Sequence, residues 1–314
     1  MVTVGSGTYT YDVAPADWAK LPKGYVFTRV PGMSIDRQDR VYVFNRNPNH
    51  VYLFGLDGSF LSMWDKSVFA DFAIHSPHGF YIGHDQKVYL TDIRDHTVRK
   101  FTLDGKLLLT LGTPGKPGKE GEPFRRPTAA AISSSGDIFV ADGYDNARVH
   151  KYSPEGKLLK SWGKPGTGPS EFNLVHGVWV DKEDHIWVAD RQNHRIQIFD
   201  TDGRFLRQLT GFREPSTIFI DAEDIVYVPQ CEGRMSIVTK DGKLLARWGG
   251  EKSDILNYLS QVPGDFVSHK YMLLRCLKAP GKFTSAHSCA VDSRGDLYVG
   301  SATGEGFAKF IRKK

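Results

Sequence analysis

Short β-rich apolar runs recur along the chain at roughly 40–50 residue intervals, the period of a propeller blade. Val41-Tyr42-Val43-Phe44, Val88-Tyr89-Leu90-Thr91 and Ile138-Phe139-Val140-Ala141 open the series. Ile186-Trp187-Val188-Ala189, Val226-Tyr227-Val228-Pro229 and Leu297-Tyr298-Val299-Gly300 continue it. A short strand and a polar turn precede each run. Most runs are followed by a further strand that ends in an acidic residue plus glycine: Asp57-Gly58, Asp104-Gly105, Glu155-Gly156, Asp202-Gly203 and Asp241-Gly242. Such pairs predict two-residue hairpins, whose central residues both take positive φ. A final strand, as at 106–111 or 157–162, completes each unit.

Four antiparallel strands cannot bury both faces alone, whereas a ring of stacked units can. The pattern therefore predicts an all-β protein, a six-bladed β-propeller forming one domain over residues 1–314. The sixth unit, from about 286 to 312, runs out after its third strand. Residues 8–13 alternate and are β-rich, so the N-terminal strand is expected to close the ring and hide its edges. A long insertion, about 251–283, separates blades five and six; loops of that length are often functional.

Composition narrows the partners. With 40 % hydrophobic and 25 % charged residues the chain falls among ordinary soluble globular proteins. The net charge of +5 comes partly from residues 312–314 and a loop with Lys116, Lys119, Arg125 and Arg126. No basic stripe interleaved with aromatics occurs, so no nucleic-acid partner is expected. No run of ~18 apolar residues is present, so no membrane span is expected. The opening Met-Val-Thr-Val-Gly-Ser-Gly lacks the features of a signal peptide. The cysteines Cys231, Cys276 and Cys289 are odd in number and sparse. Reduced thiols, a cytoplasmic setting and a monomer or weak oligomer are the expectation.

Equivalent positions in successive blades lie on one ring about the axis. At the start of the innermost strand that slot reads Gly32, His78, Thr128, His176, Ser216 and His287. Histidine thus occupies blades two, four and six, about 120° apart. Three imidazoles converging at one depth with one side open are a zinc-type ligand set. The other eight histidines, His50, His75, His84, His96, His150, His185, His194 and His269, show no such regularity and read as surface or turn residues. A second ring follows the second strand, where Arg46, Tyr144 and Arg191 interrupt small or apolar residues. Asp92, Asp142 and Asp190 in that ring suit turns closed by backbone bonds to a carboxylate.

Asp142–Arg148 and Asp190–Arg195 resemble the core of NHL repeats, and the two rings together resemble the peptidyl-α-hydroxyglycine α-amidating lyases. The likeness covers most of the chain and is strongest from blade two to blade four and around His287. It implies a six-bladed propeller with one zinc ion on His78, His176 and His287, another divalent metal being an alternative. It also implies a catalytic Tyr144, from the Asp-Gly-Tyr-x-Asn-x-Arg segment, and active-site arginines Arg46 and Arg191. The implied reaction cleaves an N-substituted α-hydroxyglycine, a small carboxylate-bearing carbinolamide, to an amide and glyoxylate. Asp145, Trp187 and Ile198 stand where the family has disulfide cysteines. Ser288 replaces the aspartate that helps hold a structural calcium, which puts calcium in doubt. No copper monooxygenase domain accompanies these repeats, which points to a smaller substrate. Two other functions fit the scaffold: a metal-dependent hydrolase of a small amide or lactone, and a non-enzymatic NHL-type interaction module.

Overall fold

Each predicted apolar run forms the second strand of a sheet: Val41–Arg46, Val88–Asp92, Ile138–Asp142, Ile186–Asp190, Ile225–Gln230 and Leu297–Ser301. These strands are covered on both faces, which is why they read as continuous apolar runs. The computed structural model describes residues 2–46, 48–69, 76–250, 285–302 and 306–314. The expected insertion at about 251–283, with His269, lies outside the described residues, as does His75. The first strands, Arg29–Ile35, Pro77–Ile82, Pro127–Ile132, Val175–Val180, Phe219–Ile220 and Ala286–Val291, pack on one another around the axis. Among the described residues five blade sheets have four strands and the sixth has five, and Lys164–Pro165 pairs with Glu171–Phe172 in a separate two-stranded ladder.

The core lies between blades. Tyr42 and Phe44 of blade one meet Phe80 and Leu90 of blade two. Tyr89 and Val98 of blade two meet Ala130 and Val140 of blade three, and Phe139 of blade three meets Val178 and Val188 of blade four. Trp187 and Ile198 then meet Ile218 and Val228 of blade five, and Met235 and Ile237 meet Leu297 and Phe310 of blade six. Ala290 and Tyr298 return to Val41 and Val43 of blade one, closing the ring. No unit has a core of its own, which explains why the blade is the repeat but not the folding unit.

Two local expectations are corrected. In the hairpins only the glycine is left-handed: Gly58, Gly105, Gly156, Gly203 and Gly242 have φ of 83°, 93°, 92°, 75° and 94°. The acidic residue before each is not, and the register slips at every one of these hairpins. This is a type I turn closed by a glycine bulge; the Gly58 N–H donates to the Gly55 carbonyl at 3.0 Å. Among the eight unpatterned histidines, His50 and His150 are buried rather than superficial. His150 is fastened between Ser161 Oγ at 2.7 Å and Asp142 Oδ2 at 3.2 Å, tying three strands of its blade.

The N-terminus closes the ring as expected. Tyr9–Val13 pairs with Phe307–Arg312, Asp12 opposite Ile311. Thr3–Ser6 adds a fifth strand beyond it, which the sequence pattern did not disclose. No helix among the described residues is long and apolar enough to cross a membrane.

The turns joining first and second strands are bonded from blade to blade, mostly from a turn's second residue to the next turn's fourth. Arg37 N–H donates to Gln86 Oε1 at 3.1 Å, Ser134 N–H to Asp184 Oδ1 at 2.7 Å and Ser293 N–H to Asp39 Oδ1 at 3.1 Å. Lys182 pairs with Asp224 at 2.5 Å. His84 Nε2 donates to the Ser133 carbonyl at 2.9 Å, Gly136 offering no side chain. Between blades five and six the two positions are Ala222 and Gly295, and neither side chain can bond. A groove of about 920 Å³ opens at this seam.

Deleting residues before Ala14 should expose the edge of Phe307–Arg312 and forfeit the burial of Tyr9 and Tyr11, at a cost of at least ~3 kcal/mol. A large fall in melting temperature or aggregation is the expected result; an unchanged Tm would mean that the ring closes without this strand. The seam makes a second prediction. Gly295 has φ of +83°, and a Cβ there would meet nothing nearer than 3.6 Å. Asp39, Asp184 and Asp224 hold comparable left-handed backbones at 58°, 61° and 63°. Ala222→Ser combined with Gly295→Asp should raise Tm by about 1–3 °C, from ~1 kcal/mol for the restored bond. Ala222→Ser alone should not.

Candidate metal centre

His78, His176 and His287 are each the second residue of a first strand, and a bulge follows at that point. The bulge re-aims the side chain out of the strand's alternation and into the channel. The three rings meet almost symmetrically, with centroids 4.8, 4.6 and 4.8 Å apart, and all three are buried.

Each imidazole is held by the neighbouring odd-numbered blade. Nδ1 of His78 lies 2.8 Å from the Thr128 carbonyl, that of His176 2.8 Å from Ser216, and that of His287 2.8 Å from Pro31. A carbonyl can only accept, so each Nδ1 carries the proton and each Nε2 lone pair faces the axis. Even blades thus supply the imidazoles and odd blades supply the carbonyls that orient them. The slot residue of blade one is therefore Pro31, not the expected Gly32. Gly32 pairs opposite Phe44 and matches the glycine after each of the first two histidines, because the bulge of blade one starts at Arg29. Those glycines, Gly79 and Gly177, are required by closeness: a Cβ would stand 2.6 Å from the Thr128 oxygen and 2.7 Å from the Ser216 oxygen.

The donor set fits a divalent metal. Nε2 of His78 and His287 are 3.2 Å apart, close to the ~3.3 Å expected for two nitrogens at ~2.0–2.1 Å from a tetrahedral ion. Two lone pairs facing at that distance repel unless a cation lies between them. A proton is a poor candidate: burial pushes His287 down to about 3, and burial with the neighbouring imidazoles pushes His78 and His176 well down. The group His78, His176 and His287 could therefore hold a metal ion. Where the lyase family has an aspartate, the Ser288 hydroxyl points to the Val30 carbonyl.

The second ring brings Tyr144, Arg46 and Arg191 to the same cavity of about 400 Å³. The Tyr144 hydroxyl lies 3.1 Å from Nε2 of His78 and 3.3 Å from Nε2 of His176. Gly143 allows this reach, since a Cβ there would collide with the Val175 oxygen at 1.6 Å. Burial pushes the Tyr144 phenol up, outweighing the downward pull of Arg191, Arg46 and Arg126. Arg46 donates Nη1 to Ser76 Oγ at 2.9 Å, while its buried Nε has no partner among the described residues. Arg191 is oriented by Glu214, with Nη2 to Oε2 at 3.7 Å. Of the aspartates only Asp92 closes its own turn as expected, accepting from the N–H groups of Arg94 and Asp95; Asp142 and Asp190 instead reach the segments ahead of their first strands, accepting from the N–H groups of Arg125 and Asn173.

A third ring escaped the sequence reading. Two residues before each slot stand Arg29, Ser76, Arg126, Leu174, Glu214 and Ser285. Leu174 and Ser285 line the cavity. Ser76 and Glu214 hold the two arginines. The Arg126 guanidinium lies 5.1 Å over the Tyr144 ring and pairs with Asp145 at 3.4 Å. Stepping back two residues from each histidine would have found this ring. Cys231 and Ala302, the second-ring residues of blades five and six, also face the cavity.

Residues 124–152 and 172–199 match the NHL repeat. NHL repeat-containing protein 3 of Homo sapiens is 35 % identical over 207 residues, covering 62 % of this chain and 57 % of that protein. Peptidyl-alpha-hydroxyglycine alpha-amidating lyase 1 of Drosophila melanogaster is 30 % identical over 269 residues, covering 80 % of this chain and 46 % of that protein. The chain thus spans about half the length of these curated relatives. In three dimensions a streptogramin B lyase superposes with a TM-score of 0.63 at 9 % identity, covering 98 % of this chain and 100 % of the other, a likeness of fold alone. The chain is an NHL-repeat six-bladed β-propeller, related in sequence to the peptidyl-α-hydroxyglycine α-amidating lyases and to NHL repeat-containing protein 3.

Proposed function

We propose that this protein is a zinc-dependent C–N lyase that splits an N-substituted α-hydroxyglycine into an amide and glyoxylate. One observation carries the reading: a half-buried phenol stands between two inward-facing imidazole nitrogens, in a cavity that the buried Arg191 and the half-buried Arg46 enter. Relatives named as lyases support it.

The reaction moves one proton from the substrate hydroxyl to the leaving nitrogen and consumes no water. One relay residue is therefore enough. Tyr144 suits the task, since its raised phenol holds a proton at neutral pH and can deliver it to nitrogen as the hydroxyl proton replaces it. His78, His176 and His287 would hold the zinc ion, which would supply Lewis acidity in the cavity and a positive charge that lowers the Tyr144 phenol. The arginines divide the remaining work. Arg46, with a buried Nε lacking a partner among the described residues, clamps the carboxylate through its planar fork. Arg191, held by Glu214 and foremost of the cations that pull Tyr144 down, tunes the phenol.

Purified protein should carry about one zinc ion per chain, and His176→Ala should strip it while the propeller still folds. Full metal retention in that variant would defeat the ligand assignment. Acid should act on the same groups. In metal-free protein the three imidazoles lie below their ordinary ~6.5, so as pH falls through ~6.5 the unfolded chain takes up more protons than the folded one. Their contribution is whole above that pH and declines below it. Melts of chelated protein from pH 8 to pH 5 should show falling Tm, with a shallower slope for His176→Ala.

Glyoxylate release tests the chemistry. Tyr144→Phe should lower kcat by ~10²-fold or more with metal content intact. Arg46→Ala should mainly raise KM, whereas Arg191→Ala should displace a limb of the pH–rate profile. Parent-rate glyoxylate release by Tyr144→Phe would rule out the relay.

A further inference from the structure

The cavity is not evenly furnished around the axis. Pairing each second-ring residue with its third-ring neighbour gives Arg46 with Arg29 in blade one, Tyr144 with Arg126 in blade three, and Arg191 with Leu174 in blade four. Blade six offers only Ala302 and Ser285, and blade five turns Cys231 to the cavity while Glu214 is spent on Arg191. In a six-fold ring, blades one and four face each other, as do blades three and six. The two arginines therefore flank the axis from opposite sides, and the small neutral wall stands directly across from Tyr144.

A substrate with a carboxylate on one arm of its carbon and an N-acyl group on the other has one sensible orientation here. The carboxylate needs a cation and finds one in blades one and four. The acyl group is neutral and needs space with modest hydrogen-bonding capacity. Ser285 and Cys231 supply that: both line the cavity, and burial pushes the Cys231 thiol up. We propose that the recess formed by Cys231, Ser285 and Ala302 receives the acyl group on the substrate nitrogen, and that Cys231 and Ala302 set the largest group accepted. This rests on the lyase reading for the identity of the substrate, but the recess can be tested without turnover.

Ala302→Leu and Cys231→Leu are the variants, with metal content and Tm as controls for folding. Glyoxylate release is compared for N-acetyl- and N-benzoyl-α-hydroxyglycine, and calorimetric binding for the unreactive probes N-acetylglycine and N-benzoylglycine. The benzoyl-to-acetyl ratio, in kcat/KM and in probe affinity, should fall ~10-fold or more in each variant, the usual effect of filling an apolar subsite. An unchanged ratio in both variants, or probes that fail to bind the parent, overturns the recess. A parent that releases no glyoxylate overturns the lyase reading; a fall in the probe ratio would then still uphold the recess.

Discussion

The hydrogen bond from each imidazole Nδ1 to a carbonyl of the next blade is the contact on which the site depends. It fixes the tautomer, and with it the direction of the Nε2 lone pair, before any ion arrives. At His78 and His176 it requires adjacent first strands to approach across a side-chain-free gap. That gap comes from Gly79 and Gly177, and its width from the apolar clusters wedged between blades further out. Packing at the rim thus sets a nitrogen position on the axis. A metal on these residues would bind folded protein in preference to unfolded chain, so folding and site assembly are one equilibrium.

The six-fold repeat does different work at its two faces. On the face away from the site, the turn aspartates recur as fasteners: Tyr42 donates to Asp36, Trp187 to Asp181, Tyr227 to Asp221 and Tyr298 to Asp292. Blade-to-blade bonds between the same turns make that face a hoop, broken among the described residues only where Ala222 meets Gly295. On the site face the repeat is deliberately uneven, alternating histidine with carbonyl and then arginine and tyrosine with small residues. Uniformity holds the ring together, and departures from it make a cavity with distinct sides.

This contrast also explains what could be read in the sequence. The second strands announce themselves because burial on both faces makes them continuous apolar runs, and the histidines because they fall in register with those strands. Pro31 was missed because the bulge of blade one begins at Arg29, a backbone detail that strand pattern does not encode. The hairpin form was misjudged because acidic-plus-glycine pairs serve both a two-residue turn and a type I turn with a glycine bulge. Arg126 and Ser285 lie in irregular segments ahead of the first strands, where residue type carries no periodic signal. The Thr3–Ser6 strand is half exposed and short, so its sequence has little apolar pattern to show.

Tyr144 is best understood against the buried tyrosines. Tyr42, Tyr227 and Tyr298 are raised by burial and further by the aspartates to which they donate, so no change near neutrality can ionise them. They act as neutral struts. Tyr144 is raised by burial as well, but the charged groups that pull against burial are arginines, and its hydroxyl faces imidazole nitrogens instead of a carboxylate. Its proton is therefore held chiefly by desolvation, against which a further positive charge in the cavity would act. The same side chain is inert on one face and poised on the other because of what its oxygen meets. That difference in neighbours, rather than the tyrosine itself, is what the proposed proton relay draws on.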